Sequence, residues 1–265
     1  MLGKLMKYEI KATGRTLIPL YVVLLAFAII NKVFIGTGFA HKVPGLGGIA
    51  FVLTILGYGF TMAAVFIVTY FVIIQRFYRN LLGDEGYLMN TLPVTTITNV
   101  TSKLSIAAFW NIISGFVAIL SIIIMAFKPI DFSRFFGEFF RDLAQLYNQF
   151  GMQIYLIIFE VILVTLIALI RFISMIYASI SIGHLFNKHR ILSSFGAFIV
   201  LNLVTTAIAS AIGIGVSNLN FRNLHIESLW PIHLIMVLVF VFNLIFFIAY
   251  FIVINYILKN KLNLE

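Results

Sequence analysis

The chain has 265 residues, of which 62% are hydrophobic and only 10% are charged, and its mean hydropathy is +1.09. An ordinary globular domain carries about 25% charged residues, so a water-soluble fold is excluded. Cysteine is absent, which excludes a disulfide framework, thiolate chemistry and cysteine metal sites. The net charge of +9 does not indicate a nucleic-acid partner, because in a membrane protein the position of each charge matters more than the total.

Six apolar stretches are long enough to cross a bilayer as α-helices. Apolar runs between charged and turn-forming clusters place these spans at residues 17–35, 48–74, 104–127, 152–179, 191–216 and 231–258. We therefore expect an all-α integral membrane protein. Residues 1–265 are predicted to form one transmembrane domain without a nucleotide-binding domain.

Basic residues are unequally distributed between the two predicted sides of the membrane. With the N-terminus in the cytoplasm, twelve of the 18 Lys and Arg residues lie inside and six lie outside. The positive-inside rule then predicts that both termini are cytoplasmic. Lys4, Lys7, Lys11 and Arg15 precede the first span, and no small-residue cleavage site follows its apolar core. We therefore expect a retained helix rather than a removed signal peptide.

Two segments outside the spans have the spacing of helices that lie along a membrane surface. Residues 1–13 combine an apolar stripe with a stripe of lysines, which predicts a cytoplasmic interfacial helix attracted to anionic lipid. Residues 132–150 carry phenylalanine and leucine on one side and charged residues largely opposite. This pattern predicts an amphipathic outer helix between spans three and four, which either caps the bundle or acts as a gate or substrate sensor.

The sequence contains none of the patterns expected of an enzyme acting alone. The only Gly-Lys pair is followed by leucine, so there is no P-loop and we expect no unaided ATP hydrolysis. His184 and His189 are five residues apart, which on a helix turns them about 140° from each other. His225 and His233 lack a neighbouring cysteine or carboxylate cluster. We therefore predict no catalytic residue, no metal and no cofactor bound by this chain.

Glu160 is the one acidic residue well inside a predicted span, where ionisable side chains are costly and often functional. Arg171 follows on nearly the same helix face, but about 16 Å along the axis, so the two are not expected to pair. One interpretation of Glu160 is a proton relay in an ion- or proton-coupled secondary transporter. The other is a neutral carboxyl group, or one hydrogen-bonded to a neighbouring helix, since no second intramembrane acid accompanies it.

The predicted cytoplasmic loop at residues 75–95 is richer in charge, glycine and aromatic residues than any other part of the chain. Gly83 and Gly86 bracket an acidic pair and permit a tight turn. Residues 87–92 can form a short amphipathic helix that ends before Pro93. Such an element suits docking into a soluble partner, and the alternative is an ordinary solvated turn.

Two segments of the chain resemble ABC-2-type permeases of Gram-positive bacteria. The run from Phe77 to Thr95, with its Gly-Asp-Glu-Gly-Tyr-Leu-Met core and closing Leu-Pro-Val-Thr, is similar to the segment after the second helix of those permeases. The run from Tyr177 to Arg190, across the second cytoplasmic loop, also resembles them. Together with the six-span layout and the basic N-terminal helix, the resemblance covers essentially the whole chain.

The resemblance implies a multi-pass permease subunit of the bacterial cell membrane. Such a subunit pairs with a second permease, identical or related, and docks two ABC ATPase subunits that hold the ATP and Mg. ATP hydrolysis there would drive export of an amphipathic or apolar substrate such as a peptide, lipid or drug. The residues implied at the coupling element are Arg76, Phe77, Arg79, Asp84, Glu85, Gly86, Tyr87, Leu88 and Pro93. Those implied at a second cytoplasmic contact are Gly183, His184, Lys188, His189 and Arg190.

Overall fold

The fold is described by a computed structural model, which covers residues 2–37, 46–83, 95–126, 129–186, 188–218 and 229–261. Within these ranges the regular structure is entirely helical, which confirms the predicted all-α class. The seven α-helices are α1 Leu2–Thr37, α2 Leu46–Phe77, α3 Thr96–Ala126, α4 Pro129–Phe150, α5 Gln153–His184, α6 Arg190–Asn218 and α7 Trp230–Asn260. A π-helical segment, Tyr78–Leu82, continues α2.

Six of these helices are long and apolar enough to cross a membrane, which confirms the multi-pass character predicted from the apolar runs. They are α1, α2 with its π-helical extension, α3, α5, α6 and α7. Each helix is longer than its predicted span. The 36 residues of α1 extend over about 54 Å, whereas a hydrocarbon core is about 30 Å thick.

The surface helix predicted at residues 1–13 does not form a separate element. It continues without a break into the first span as α1, with Pro19 inside the helix. Gly14 lies between the predicted surface helix and the first span. A Cβ at this position would be 3.2 Å from Cζ2 of Trp110, so the missing side chain lets α1 approach α3 closely. A helix lying along the membrane surface is therefore not confirmed at this end of the chain.

The amphipathic segment predicted at residues 132–150 is a helix, α4. From Ser133 to Gln149 every side chain except that of Leu143 is exposed, so phenylalanine and charged residues are both accessible. This combination is typical of a helix at a membrane interface. Its location on the outer face, and any role as a cap, gate or sensor, remain predictions.

Contacts divide the chain into two compact units whose boundaries lie inside helices. The first comprises Met1–Arg76 and Ser105–Phe139, and the second comprises Phe77–Leu104 and Phe140–Glu265. Within the first unit, α1 and α2 run antiparallel. Asn31 of α1 hydrogen-bonds Thr54 of α2 at 2.9 Å. Glu9, which is 22 residues before Asn31, pairs at 3.0 Å with Arg76, which is 22 residues after Thr54.

Hydrogen bonds between hydroxyl groups connect α3 to α1 and α2 in the first unit. Tyr58 bonds Ser121 at 3.0 Å, and Ser114 bonds both Thr69 and Tyr21, at 2.8 and 2.7 Å. These contacts orient α2 and α3 antiparallel. They also satisfy polar groups that would otherwise be unpaired in an apolar environment.

In the second unit, α5 packs against both α6 and α7. Glu160 of α5 bonds His233 of α7, and further along both helices Arg171 bonds Asn243. The two helices therefore run parallel, and their C-termini lie at the same end of the unit. Helix α6 runs antiparallel to α5, because Phe172 contacts Phe198 while Gly183 approaches Ser194. The N-terminus of α6 therefore lies beside the C-termini of α5 and α7.

Candidate functional site

Described residues from the two motif segments, 77–95 and 177–190, meet at this end of the second unit. Phe77, at the end of α2, stacks on Tyr177 of α5 with ring centroids 3.9 Å apart and planes inclined by 11°. Both side chains are buried, with 0% and 1% of their surfaces exposed. The next residue, Tyr78, contacts His184 edge-on with ring centroids 6.2 Å apart. The contacts therefore join the end of α2 to the last turns of α5.

The π-helical segment, which contains Arg79, anchors the first residues of the predicted coupling element. The amide N–H of Gly83 donates to the carbonyl of Tyr78 at 2.8 Å, while Leu81 and Leu82 are buried. Single π-helical turns are rare and often occur at functional sites. They widen the helix locally, and here the widened turn ends at Leu82, with Gly83 in an extended conformation.

Most of the predicted coupling element lies outside the described residues. This applies to Asp84, Glu85, Gly86, Tyr87, Leu88 and Pro93, and to the short helix predicted at residues 87–92. Of its other members, Phe77 is an internal packing residue and Arg79 is exposed. Arg76 belongs to the first unit and pairs with Glu9, so its guanidinium group holds α2 to α1.

The predicted second contact contains buried and accessible residues. Gly183 is buried, and a Cβ at this position would overlap Ser194 of α6. His184 is also buried, and its Nδ1 has no hydrogen-bond partner among the described residues. Lys188 and His189 are exposed, and Arg190 begins α6. Gly183 and His184 thus shape the hairpin between α5 and α6, while the three basic residues are accessible to a partner.

These basic residues line a groove of about 720 Å³. The lining residues are Tyr78, Lys188, His189, Arg190, Ile191, Leu192 and Phe195. None of them is acidic, and Ile191, Leu192 and Phe195 are all well exposed. We call this surface the basic groove. Its cationic and apolar lining is complementary to a segment that carries both carboxylates and apolar side chains.

Glu160 and Arg171, the ionisable residues of the predicted fourth span, both have partners on α7. Glu160 Oε2 lies 2.8 Å from His233 Nδ1, and the Glu160 and His233 side chains are 17% and 21% exposed. The Nε of Arg171 donates to Oδ1 of Asn243 at 2.8 Å. Glu160 is therefore hydrogen-bonded to a neighbouring helix, as one of the two interpretations expected.

Comparison of the chain with protein-family models, with curated proteins and with solved structures finds no match. Among the residues that the structure describes, no three His, Cys, Asp or Glu side chains are grouped so that they could hold a metal ion.

The pairing of His233 with Glu160 is not visible in the residues adjacent to either side chain along the chain, but their positions within the spans carry a signal. His233 lies near the start of the last span, and Glu160 lies near the start of the fourth span. Two spans separated by one intervening span run in the same direction, so these side chains occupy similar depths and can meet across the helix interface.

Proposed function

We propose that this chain is the transmembrane permease subunit of an ATP-binding cassette exporter. It would couple ATP hydrolysis by separate ATPase subunits to the movement of an amphipathic or apolar substrate. The observation that carries the proposal is the Phe77–Tyr177 stack, which joins the chain entering the predicted coupling element to the helix leading into the second contact. ATP and Mg belong to the partner subunits in this scheme.

The residues flanking the coupling element supply a mechanical reason for this role. Residues 84–94 connect the π-helical segment to α3, and both ends of that connection are held by buried residues. Leu81 and Leu82 are buried on one side, and Asn99 and Val100 on the other. If an ATPase displaced the connecting residues, the displacement would act on the packed ends of α2 and α3. A rigid-body movement of the ATPase would then be transmitted to these two helices.

The basic groove supplies a second point of contact. Lys188 and Arg190 offer positive charge, and the adjacent apolar residues offer surface for burial. A partner that engaged the groove would contact the π-helical segment that continues α2 and the N-terminus of α6 together. In the proposed assembly the chain pairs with a second permease in a bacterial cell membrane, with both termini on the ATPase side.

The alternative function is that of an ion- or proton-coupled secondary transporter. The Glu160–His233 pair favours it, because two titratable groups inside a membrane span are candidates for proton binding. Carriers of this kind usually bind their ions where transmembrane helices are interrupted. Here α5 and α7 are continuous over Gln153–His184 and Trp230–Asn260, which favours the permease instead.

A photo-crosslinking amino acid at position 188 tests the proposed docking surface in intact cells. Position 152 is the matched control, since Met152 is 74% exposed at the opposite end of α5, about 50 Å away. We expect light to join position 188, and not position 152, to a soluble ATP-binding protein. Failure to capture such a protein from position 188, or equal capture from both positions, would refute the docking surface.

A further inference from the structure

A second groove lies between the first turn of α3 and the last turns of α7. Its volume is about 670 Å³. The lining residues are Thr95, Thr96, Ile97, Phe251, Ile252, Asn255, Tyr256, Lys259 and Asn260. None of them lines the basic groove.

The groove has a polar end and an apolar end. Lys259 and Asn260 lie in the last turn of α7, beside the hydroxyl groups of Thr95 and Thr96 at the start of α3. About two turns deeper along α7, Ile252 is 60% exposed, while Ile97, the residue after Thr96, adds a 58% exposed apolar side chain near the polar end. The lining contains one cation and no acidic residue. The site therefore matches an amphipathic anion whose charge lies towards the end of the membrane span.

Asn255 adds a polar side chain to the lining of the groove. Its Nδ2 donates to the carbonyl of Phe251 at 2.8 Å. The Oδ1 atom is covered by the surrounding protein and has no partner among the described residues. A buried acceptor without a donor is unfavourable, so a turn of the amide that presented Oδ1 to an O–H or N–H group of a ligand would be stabilising. Asn255 precedes Lys259 by one helical turn, so the donor and the anion belong to one headgroup.

We propose that this groove binds a glycerophospholipid with an anionic phosphate and a hydroxyl-bearing headgroup, such as phosphatidylglycerol. The phosphate contacts Lys259, and the amides at the N-terminus of α3 add further favourable interactions with an anion. A headgroup hydroxyl donates to Asn255 Oδ1. The acyl chains lie along Ile97, Phe251 and Ile252. This site depends only on the membrane location of the chain, and not on the proposed exporter function.

Lipid binding to the purified full-length chain in detergent tests the inference. Native mass spectrometry would compare phosphatidylglycerol with phosphatidylcholine for the wild type, Lys259→Ala and Lys261→Ala. Lys261 is the matched control, because it is exposed nearby and does not line the groove. We expect one phosphatidylglycerol per chain to be retained in preference to phosphatidylcholine. Loss of the Lys259 contact should weaken that binding about tenfold, as for one charge-assisted hydrogen bond, while Lys261→Ala should leave it unchanged.

Several results would overturn the lipid site. One is equal retention by Lys259→Ala and Lys261→Ala, and another is the absence of a preference for phosphatidylglycerol. A third is displacement of the lipid by millimolar inorganic phosphate, which would show that the site recognises a free phosphate rather than a lipid. Asn255→Leu provides a second variant, since it removes the unpaired acceptor and should reduce the preference for a hydroxyl-bearing headgroup over one without donors. Unchanged selectivity in this variant would also contradict the inference.

Discussion

Replacing Gly183 with leucine is expected to prevent α5 and α6 from packing together. A Cβ at this position would overlap the backbone nitrogen and Cα of Ser194 as well as its side chain. Backbone atoms cannot rotate away as a flexible side chain can, so the helices themselves must move apart. Overpacking of a close contact costs about 1–3 kcal/mol, and we expect this variant to lie at the upper end. The measurement is the melting temperature of the purified protein in detergent.

Gly196→Leu is the control for that experiment. Gly196 lies in α6 near the same hairpin, and nothing surrounds the position of its missing Cβ within 4 Å. Its substitution adds the same side chain, and we expect little change in melting temperature. A Gly183→Leu protein as stable as the Gly196→Leu protein would mean that α5 and α6 do not approach at Ser194.

Removal of the carboxyl group at Glu160 is expected to destabilise the interface between α5 and α7. Glu160→Leu leaves His233 without its 2.8 Å partner, and an unsatisfied buried polar group costs about 1–3 kcal/mol. Glu160→Gln keeps a hydrogen-bonding group and is expected to retain most of the stability. The double variant Glu160→Leu/His233→Leu removes both polar groups and should regain part of the loss. Melting temperatures of the single and double variants measure the coupling between the two residues.

The same Glu160→Gln variant separates the two candidate functions. A permease that uses the pair only to hold two helices together should retain its activity, because glutamine can still bond His233. A proton-coupled carrier should lose activity, because glutamine cannot exchange a proton. Full loss of transport with an unchanged melting temperature would therefore contradict the exporter proposal and support the carrier.

Apolar runs predicted the number of membrane helices but not their ends. The third span was expected from Leu104, whereas α3 begins at Thr96. Asn99, Ser102 and Lys103 lower the hydropathy of this stretch, yet all three are buried in the structure. Hydropathy alone does not distinguish a polar residue covered by protein from one exposed to water, and it therefore places the boundary too late.

The sequence motifs identified segments rather than contacts. Phe77 and Tyr177 each fell within a motif, but a pair separated by 100 residues cannot be inferred from either segment alone. Gly183 was expected at a partner surface, which stays a prediction, and its close approach to Ser194 was not foreseen. Burial and pairing across helices depend on the tertiary fold, so a single sequence predicts the type of residue present more readily than its neighbour.

Gentle extraction of a tagged form of this chain from its native membrane tests the exporter proposal most directly. The quantity measured is the amount of soluble ATP-binding subunit that copurifies, together with the ATPase activity of the preparation. We predict that an ATP-binding subunit copurifies in roughly equal amount and that the complex hydrolyses ATP. A homogeneous preparation of this chain without such a subunit and without ATPase activity would contradict the account.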